Sequence, residues 1–110
     1  MPEELVLILH VKDGYDTAKW YARLGFEVES EHLFAPRMPL YLFLRRGNIR
    51  LHLSEHTGDA RPGTLLYFYV YDVDRVAAEF GIEVKEQRWA REVSLTDPDG
   101  NRLRVGECKE

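Results

Sequence analysis

Each of two short segments of the sequence has one polar side chain that can bind a ligand between two apolar side chains. They are residues 51–53, with His52 at the centre, and residues 103–105, with Arg104 at the centre. Alternation with a period of two is typical of a strand with one buried face, so the flanking apolar residues are expected to face a core. His52 and Arg104 are then predicted to face a ligand cavity, where an imidazole forms hydrogen bonds and a guanidinium attracts an anion.

Two tyrosines and two further arginines follow the same alternation. Tyr67 and Tyr69 have the phase of Leu65 and are expected to line the cavity, although ordinary half-buried strand tyrosines would give the same pattern. Arg50 and Arg102 share the phase of His52 and Arg104. The cavity floor is therefore expected to be basic, which favours an anionic or carboxylate-bearing ligand.

No arrangement typical of a catalytic centre is present in the sequence. It contains no Ser-His-Asp order, no phosphate-cradling glycine loop and no pair of carboxylates at a defined spacing. No carboxylate stands at a fixed spacing to orient His52 as a general base, so a hydrogen-bonding role is favoured. These residues carry no positive sign of catalysis.

The elements that must position these side chains occur twice. Residues 11–13 and 25–29 are echoed by residues 70–72 and 81–85, and each half closes with a Gly-Asn turn and an alternating strand. A repeat of about half the chain indicates two copies of one supersecondary unit, since neither copy buries its apolar faces alone. Each copy is predicted to be a βαβββ module.

The predicted elements of the first half are a strand over 5–11, a helix capped by Asp16 or Thr17 and stopped by Gly25, and strands over 26–31, 40–44 and 49–54. The helix is expected to bury Ala18, Tyr21, Ala22 and Leu24, with Trp20 also in the core. In the second half we expect a strand over 65–71, a helix from Asp72 or Asp74 to Phe80, strands near Glu83, Val93 and Leu103, and a turn over 97–101.

Length and composition restrict the class of protein. A chain of 110 residues fits a single domain, here two modules at about 4–55 and 64–107 joined by a loop at 56–63. A net charge of −4 argues against general nucleic-acid binding. One cysteine excludes a disulfide framework, and no apolar segment is long enough to cross a membrane, so a cytoplasmic protein is expected.

Several motifs resemble those of the vicinal oxygen chelate superfamily, which includes glyoxalase I, extradiol dioxygenases and bleomycin-resistance proteins. They are Trp20-Tyr21, Leu24-Gly25-Phe26, residues 87–92 and the Asp-Pro-Asp-Gly-Asn turn at 97–101. The last two look most like the bleomycin-resistance branch, although Arg88 and Ala90 stand where that branch usually has Pro and Gly. The resemblance implies an α+β fold in which two βαβββ repeats form a curved mixed sheet with helices on its convex face.

Enzymes of this superfamily place metal ligands on the first and last strand of each half. Transferred by strand phase, those positions hold Val6, His52, Leu65 and Arg104, or Leu7 in place of Val6 if the first strand is shifted by one. Only His52 is a suitable ligand, and Arg104 repels a cation, so we expect no metal and no other cofactor. An alternative site built from His10, His52 and Glu92 stays open.

The resemblance also implies which residues contact a ligand. Trp89 matches a tryptophan that stacks on a flat drug in the bleomycin-resistance branch, although an aromatic plug at the edge of a dimer interface is the alternative. Glu92 is expected to receive a cation or to form a surface ion pair of little consequence. Phe34 is expected to cover the groove or its own hydrophobic edge.

The favoured function is a non-catalytic protein that sequesters a flat aromatic, bleomycin-like antibiotic in a groove at a homodimer interface, with residues 5–9 as a strand that subunits exchange. One alternative is a metal-dependent glyoxalase or dioxygenase with displaced ligands. Another is a metabolite-binding protein of the same fold. No nucleic acid or membrane partner is expected.

Overall fold

The computed structural model describes residues 3–33 and 39–109. Its first half consists of strand β1 (Leu7–His10), helix α1 (Gly14–Ala22) and strands β2 (Glu27–Leu33), β3 (Leu40–Arg46) and β4 (Ile49–Ser54). Its second half consists of strand β5 (Leu65–Tyr69), helix α2 (Val73–Phe80) and strands β6 (Lys85–Glu86), β7 (Ala90–Thr96) and β8 (Arg102–Cys108). The βαβββ order therefore occurs twice, which confirms the predicted α+β class.

Each half forms one compact unit, residues 1–62 and residues 63–110, with its own four-stranded mixed sheet. The strand orders are β1-β4-β3-β2 and β5-β8-β7-β6. In each sheet the first strand is parallel to the last, and the other neighbours are antiparallel. That the two units make one domain stays a prediction.

Both helices begin at an aspartate that accepts a backbone hydrogen bond three residues ahead. Asp13 accepts from the N–H of Asp16 at 3.2 Å, and Asp72 accepts from the N–H of Arg75 at 3.2 Å. The prediction that Asp16 or Thr17 caps α1 is wrong, because Asp13 has the extended φ of −131° that an N-cap needs and the helix already begins at Gly14. Of the two candidates for α2, Asp72 is the cap.

A second carboxylate ties each helix start to its sheet, and we call each one a carboxylate latch. Glu55, just after β4, accepts from the N–H of Gly14 at 2.7 Å and from that of Leu40 at 3.0 Å. Glu107, within β8, accepts from the N–H of Val73 at 3.0 Å. An anion at a helix N-terminus satisfies backbone donors that have no partner within the helix. The latches fix where both helices enter their sheets.

The predicted phase of the two alternating strands is confirmed. Leu51 is 3% exposed and Leu53, Leu103 and Val105 are 0% exposed, whereas Arg104 is exposed and His52 is half-buried. The predicted face of α1 is partly wrong. Its buried residues are Gly14, Thr17 and Tyr21, followed by Leu24, whereas Ala22 is exposed and Trp20 only half-buried. The buried residues follow the i, i+3, i+7 spacing of a helix face that begins at Gly14.

Glycines with left-handed backbone end α2 and shape the turn before β8. Gly81 has a φ of 64° at the end of α2, and the next strand begins at Lys85, two residues after the predicted Glu83. The predicted turn at 97–101 is confirmed, with Gly100 at a φ of 85° and the Asp97 carboxylate accepting from the N–H groups of Asp99 and Asn101. Within the described ranges, neither helix is long and apolar enough to span a membrane.

Candidate functional site

Strand register in the second unit gathers most of the predicted ligand residues on one face of its sheet. Residues directly opposite on neighbouring strands point to the same side. The resulting three rows are Tyr69, Gly106 and Glu92, then Tyr67, Arg104 and Ser94, and then Leu65, Arg102 and Thr96. We call this the second-sheet face. The other side of the sheet is buried and carries Leu66, Phe68, Val93 and Leu95.

Glu92 is the buried polar centre of the second-sheet face. It is only 6% exposed, and it accepts hydrogen bonds from the hydroxyl of Tyr67 at 2.7 Å and from the side-chain amide of Gln87 at 3.3 Å. Within ranges 3–33 and 39–109, no lysine or arginine forms an ion pair with it. The expectation of a surface ion pair is wrong, because the neighbouring Arg91 lies on the opposite side of the strand and pairs with Asp74 and Glu86.

Gly106 explains how Tyr67 reaches Glu92 from a different row. A Cβ atom at position 106 would lie 2.3 Å from the Tyr67 hydroxyl oxygen and 3.0 Å from the adjacent ring carbon, Cζ. The tyrosine therefore occupies the space that a side chain at this position would fill. A glycine inside a strand is a common sign of such a close approach.

Two more aromatic side chains adjoin Tyr67, and we call the three together the aromatic row. The ring centres of Tyr67 and Tyr69 are 5.1 Å apart. Trp89 lies in a turn closed by a hydrogen bond of 2.8 Å from the N–H of Gln87 to the carbonyl of Ala90, and its side chain is close enough to Tyr67 to lower the pKa of the tyrosine hydroxyl. Tyr67 is 37% exposed, and Tyr69 and Trp89 are each 53% exposed. Such a surface suits the face of a flat ligand.

Burial and the hydrogen bond to Glu92 raise the pKa of Tyr67 from 10.0 to about 12, against the opposing effect of the Trp89 side chain. The neutral phenol is thus favoured in the folded state, so its contribution to stability is complete below pH 10 and is lost as the pH rises toward about 12. We expect the stability advantage of the native protein over Tyr67→Phe to shrink over that interval. Urea unfolding of both proteins at several alkaline pH values measures this difference, and an advantage that stays constant across the interval contradicts it.

His52 belongs to a separate aromatic cluster on the first sheet. Its Nδ1 atom lies 2.8 Å from the hydroxyl of Tyr41, and its ring centre lies 4.6 Å from that of Phe43. Burial lowers the pKa of His52, while Glu4 and Glu29 act in the opposite direction. The neutral imidazole is therefore favoured, in keeping with a hydrogen-bonding residue rather than a cation.

The arginines predicted to make a basic cavity floor have different partners. Arg50 pairs with Glu4 at 3.1 Å and with Glu29 at 3.3 Å, so its charge is compensated. Arg102 and Arg104 form no ion pair with any carboxylate in the part of the chain that the structure describes. The prediction of a basic floor is therefore wrong for Arg50, whereas Arg102 and Arg104 expose uncompensated charge on the second-sheet face.

The superfamily's metal positions do not fit a divalent cation in this chain. Register places Ile8 opposite His52, and Tyr67 opposite Arg104. Each pair therefore contains at most one residue of a type that commonly binds a metal ion. His10 is opposite Ser54 rather than His52. Among the described residues, one group of three carboxylates lies close enough to hold an ion, namely Asp72, Asp74 and Glu107, and each of them already binds backbone or arginine.

The predicted ligand residue Phe34 lies outside the described residues. The sequence analysis did not predict four residues that belong to the Glu92 site and to the His52 cluster. Gln87 and Gly106 complete the Glu92 site, and Tyr41 and Phe43 surround His52. Two of the signals were available. Gly106 has the strand phase of Arg104, and Tyr41 and Phe43 alternate with three leucines.

The family model described as "Glyoxalase superfamily protein" matches residues 2–110. A bleomycin-binding protein from the bleomycin producer Streptomyces verticillus, with copper(II)-bleomycin, is 28% identical, with both chains fully covered and a TM-score of 0.68. TnmS3, an antibiotic binding protein from Streptomyces sp. CB03234, is 20% identical, with 99% of each chain covered and a TM-score of 0.75.

A further bleomycin-binding protein, solved with bleomycin, is 20% identical, with 98% of this chain and 100% of that chain covered and a TM-score of 0.76. No curated protein matches the sequence. The predicted resemblance is confirmed by the family model, which covers nearly all of the chain, and by a fold shared with bleomycin-binding proteins. On these grounds the chain belongs to the glyoxalase superfamily.

Proposed function

We propose that this protein binds a flat aromatic small molecule of the antibiotic type without transforming it. The observation that carries the proposal is the aromatic row beside the buried carboxylate of Glu92. Three adjacent, partly exposed aromatic rings offer stacking area, and the carboxylate offers a fixed acceptor at one end. Arg104, on the same face, is proposed as a further ligand contact, whereas ligand contact by His52, on the first sheet, stays a prediction.

The fold comparisons support this class of ligand. Two of the similar structures are described as bleomycin-binding and a third as antibiotic-binding. In the described chain, the second-sheet face holds no nucleophile with an adjacent base, and the metal positions do not suit a cation. These features favour sequestration over catalysis.

We further propose that two copies of the chain form a homodimer in which the partner supplies the opposite wall of the ligand groove. The second unit leaves four apolar or aromatic side chains more than one third exposed on its open face and in the adjoining turn, namely Leu65, Tyr67, Tyr69 and Trp89. A small protein rarely leaves so much contiguous apolar surface without a partner or ligand. The dimer would cover it.

Titration of tryptophan fluorescence with metal-free bleomycin tests the proposal. We expect saturable quenching at one drug per chain in the native protein. Because Trp89→Phe removes the reporter at the site, its affinity is measured by isothermal titration calorimetry, and we expect it to be at least about tenfold weaker, since an indole stacks better than a phenyl ring. Trp20, in α1, reports the background in both proteins.

The matched control is Tyr15→Phe, an exposed aromatic residue of α1 in the first unit, which should bind like the native protein. Sedimentation of the same samples at micromolar concentration should show a dimer. Equal quenching of the native protein and Trp89→Phe would remove Trp89 from the site, and a monomer that binds the drug fully would remove the proposed second wall.

A further inference from the structure

We propose that the second-sheet face also carries an anion subsite formed by Ser94, Thr96, Arg102 and Arg104, so that the preferred ligand is a flat aromatic molecule bearing a carboxylate or another oxyanion. This inference rests on the proposed function and names its ligand class more closely. The acidic net charge of the chain gives no hint of such a site.

Register places these four side chains together. Ser94 is opposite Arg104 and Thr96 is opposite Arg102, so each hydroxyl has a guanidinium beside it on the same face. Leu65, on the neighbouring strand, is opposite Arg102. Together these five residues line a shallow depression on the sheet. The two guanidinium groups have donors and no acceptor, and the two hydroxyls can each donate as well, so all four side chains can donate hydrogen bonds to a carboxylate or sulfonate.

Two other arginines on the sheets have their charge compensated by carboxylates. Arg50, which holds the place of Arg102 in the repeated first unit, is neutralised by Glu4 and Glu29. Arg91 is neutralised by Asp74 and Glu86. Over residues 3–33 and 39–109, Arg102 and Arg104 pair with no carboxylate. Their guanidinium groups are therefore available to a ligand, and Arg forks bind planar oxyanions in two-point geometry.

The spacing along β7 sets the shape of the ligand. Glu92, Ser94 and Thr96 follow one another on the same face, and a strand rises about 3.4 Å per residue, so the Cα atom of Ser94, where the anion subsite begins, is about 7 Å from that of Glu92. Tyr67 begins in the row of Arg104, and its side chain extends to the carboxylate of Glu92, so its ring joins the two ends. A molecule that fits places a ring over Tyr67, an oxyanion at the arginines and a hydrogen-bond donor toward Glu92.

Two fluorescent probes of similar ring structure test the anion subsite. Anilinonaphthalene sulfonate carries a sulfonate, and phenylnaphthylamine lacks it. We expect the double variant Arg102→Gln/Arg104→Gln to bind the sulfonate at least about tenfold more weakly, while its affinity for the neutral probe stays the same. Both arginines are exposed, so circular dichroism of the variant should match that of the native protein.

Two charge controls accompany the double variant. Arg75→Gln removes a positive charge from α2 and should leave both affinities unchanged, as should Arg50→Gln at the repeated position. Equal sulfonate affinity in the native protein and the double variant would overturn the anion subsite. If the proposed binding of aromatic ligands on the aromatic row is itself wrong, the result is different, because Trp89→Phe then changes the affinity for neither probe.

Discussion

Replacing Gly106 with alanine is expected to lower the free energy of unfolding by about 1–3 kcal/mol and to abolish most ligand binding at the second-sheet face. The new Cβ atom would lie 2.3 Å from the Tyr67 hydroxyl oxygen, so the tyrosine must swing away. Glu92 would then keep only Gln87 as a donor while still buried. The same displacement would break the Trp89 contact to Tyr67. Urea unfolding and the bleomycin titration measure both effects.

The backbone itself gives no reason for the glycine. The φ of Gly106 is not among the positive values in the chain, and Ser54 holds the same place in the first unit with a side chain. The loss of unfolding free energy in Gly106→Ala should therefore depend on the presence of the Tyr67 side chain. In a Tyr67→Leu background, Gly106→Ala should cost less than about 0.5 kcal/mol. If the alanine is equally costly in both backgrounds, the clash lies with another group.

Replacing Glu55 with alanine is expected to lower the free energy of unfolding by about 3 kcal/mol, because two partly buried N–H groups lose the carboxylate that accepts from both of them. These are the N–H groups of Gly14, at the start of α1, and of Leu40, at the start of β3. Urea unfolding followed by circular dichroism measures the change.

Two variants grade this effect. Glu55→Gln keeps one acceptor oxygen but loses the negative charge at the helix start, so about half of the loss is expected. Glu107→Ala removes the other carboxylate latch, which holds one N–H instead of two, and should also cost about half as much. If Glu55→Ala and Glu107→Ala lower the free energy of unfolding equally, the loss does not depend on the number of N–H groups that each carboxylate binds.

The fold was predictable because its signals are local. Alternating residues set the buried face of β4 and β8, and a Gly-Asn turn precedes each of these strands. Errors arose where several candidate cap residues lie within about one turn of helix. Asp13, Asp16 and Thr17 are all capable N-caps by residue type, and only the extended backbone at Asp13 decides between them.

The site was predictable in part, because residue type says which side chains can bind and register says which of them meet. Tyr67, Tyr69 and Arg104 share the face that their alternation predicts. The burial of Glu92 depends on Tyr67, 25 residues away in sequence, and on the space left by Gly106. The partners of Arg50 are Glu4 and Glu29, which lie before and after α1 in the sequence. Pairings of this kind are set by packing, which alternation does not encode.

The carboxylate latches occupy the same place in both repeats, whereas other positions differ between the repeats. The shared positions define the architecture. Glu55 and Glu107 hold both helices, while the residues before them on the open faces differ, with His52 in one unit and Arg104 in the other. A protein engineer can therefore vary the outward positions of β4, β7 and β8, apart from Glu92 and Gly106, as a library while leaving the latches and the inward residues untouched. Selection from such a library would yield new ligand specificities on an unchanged scaffold.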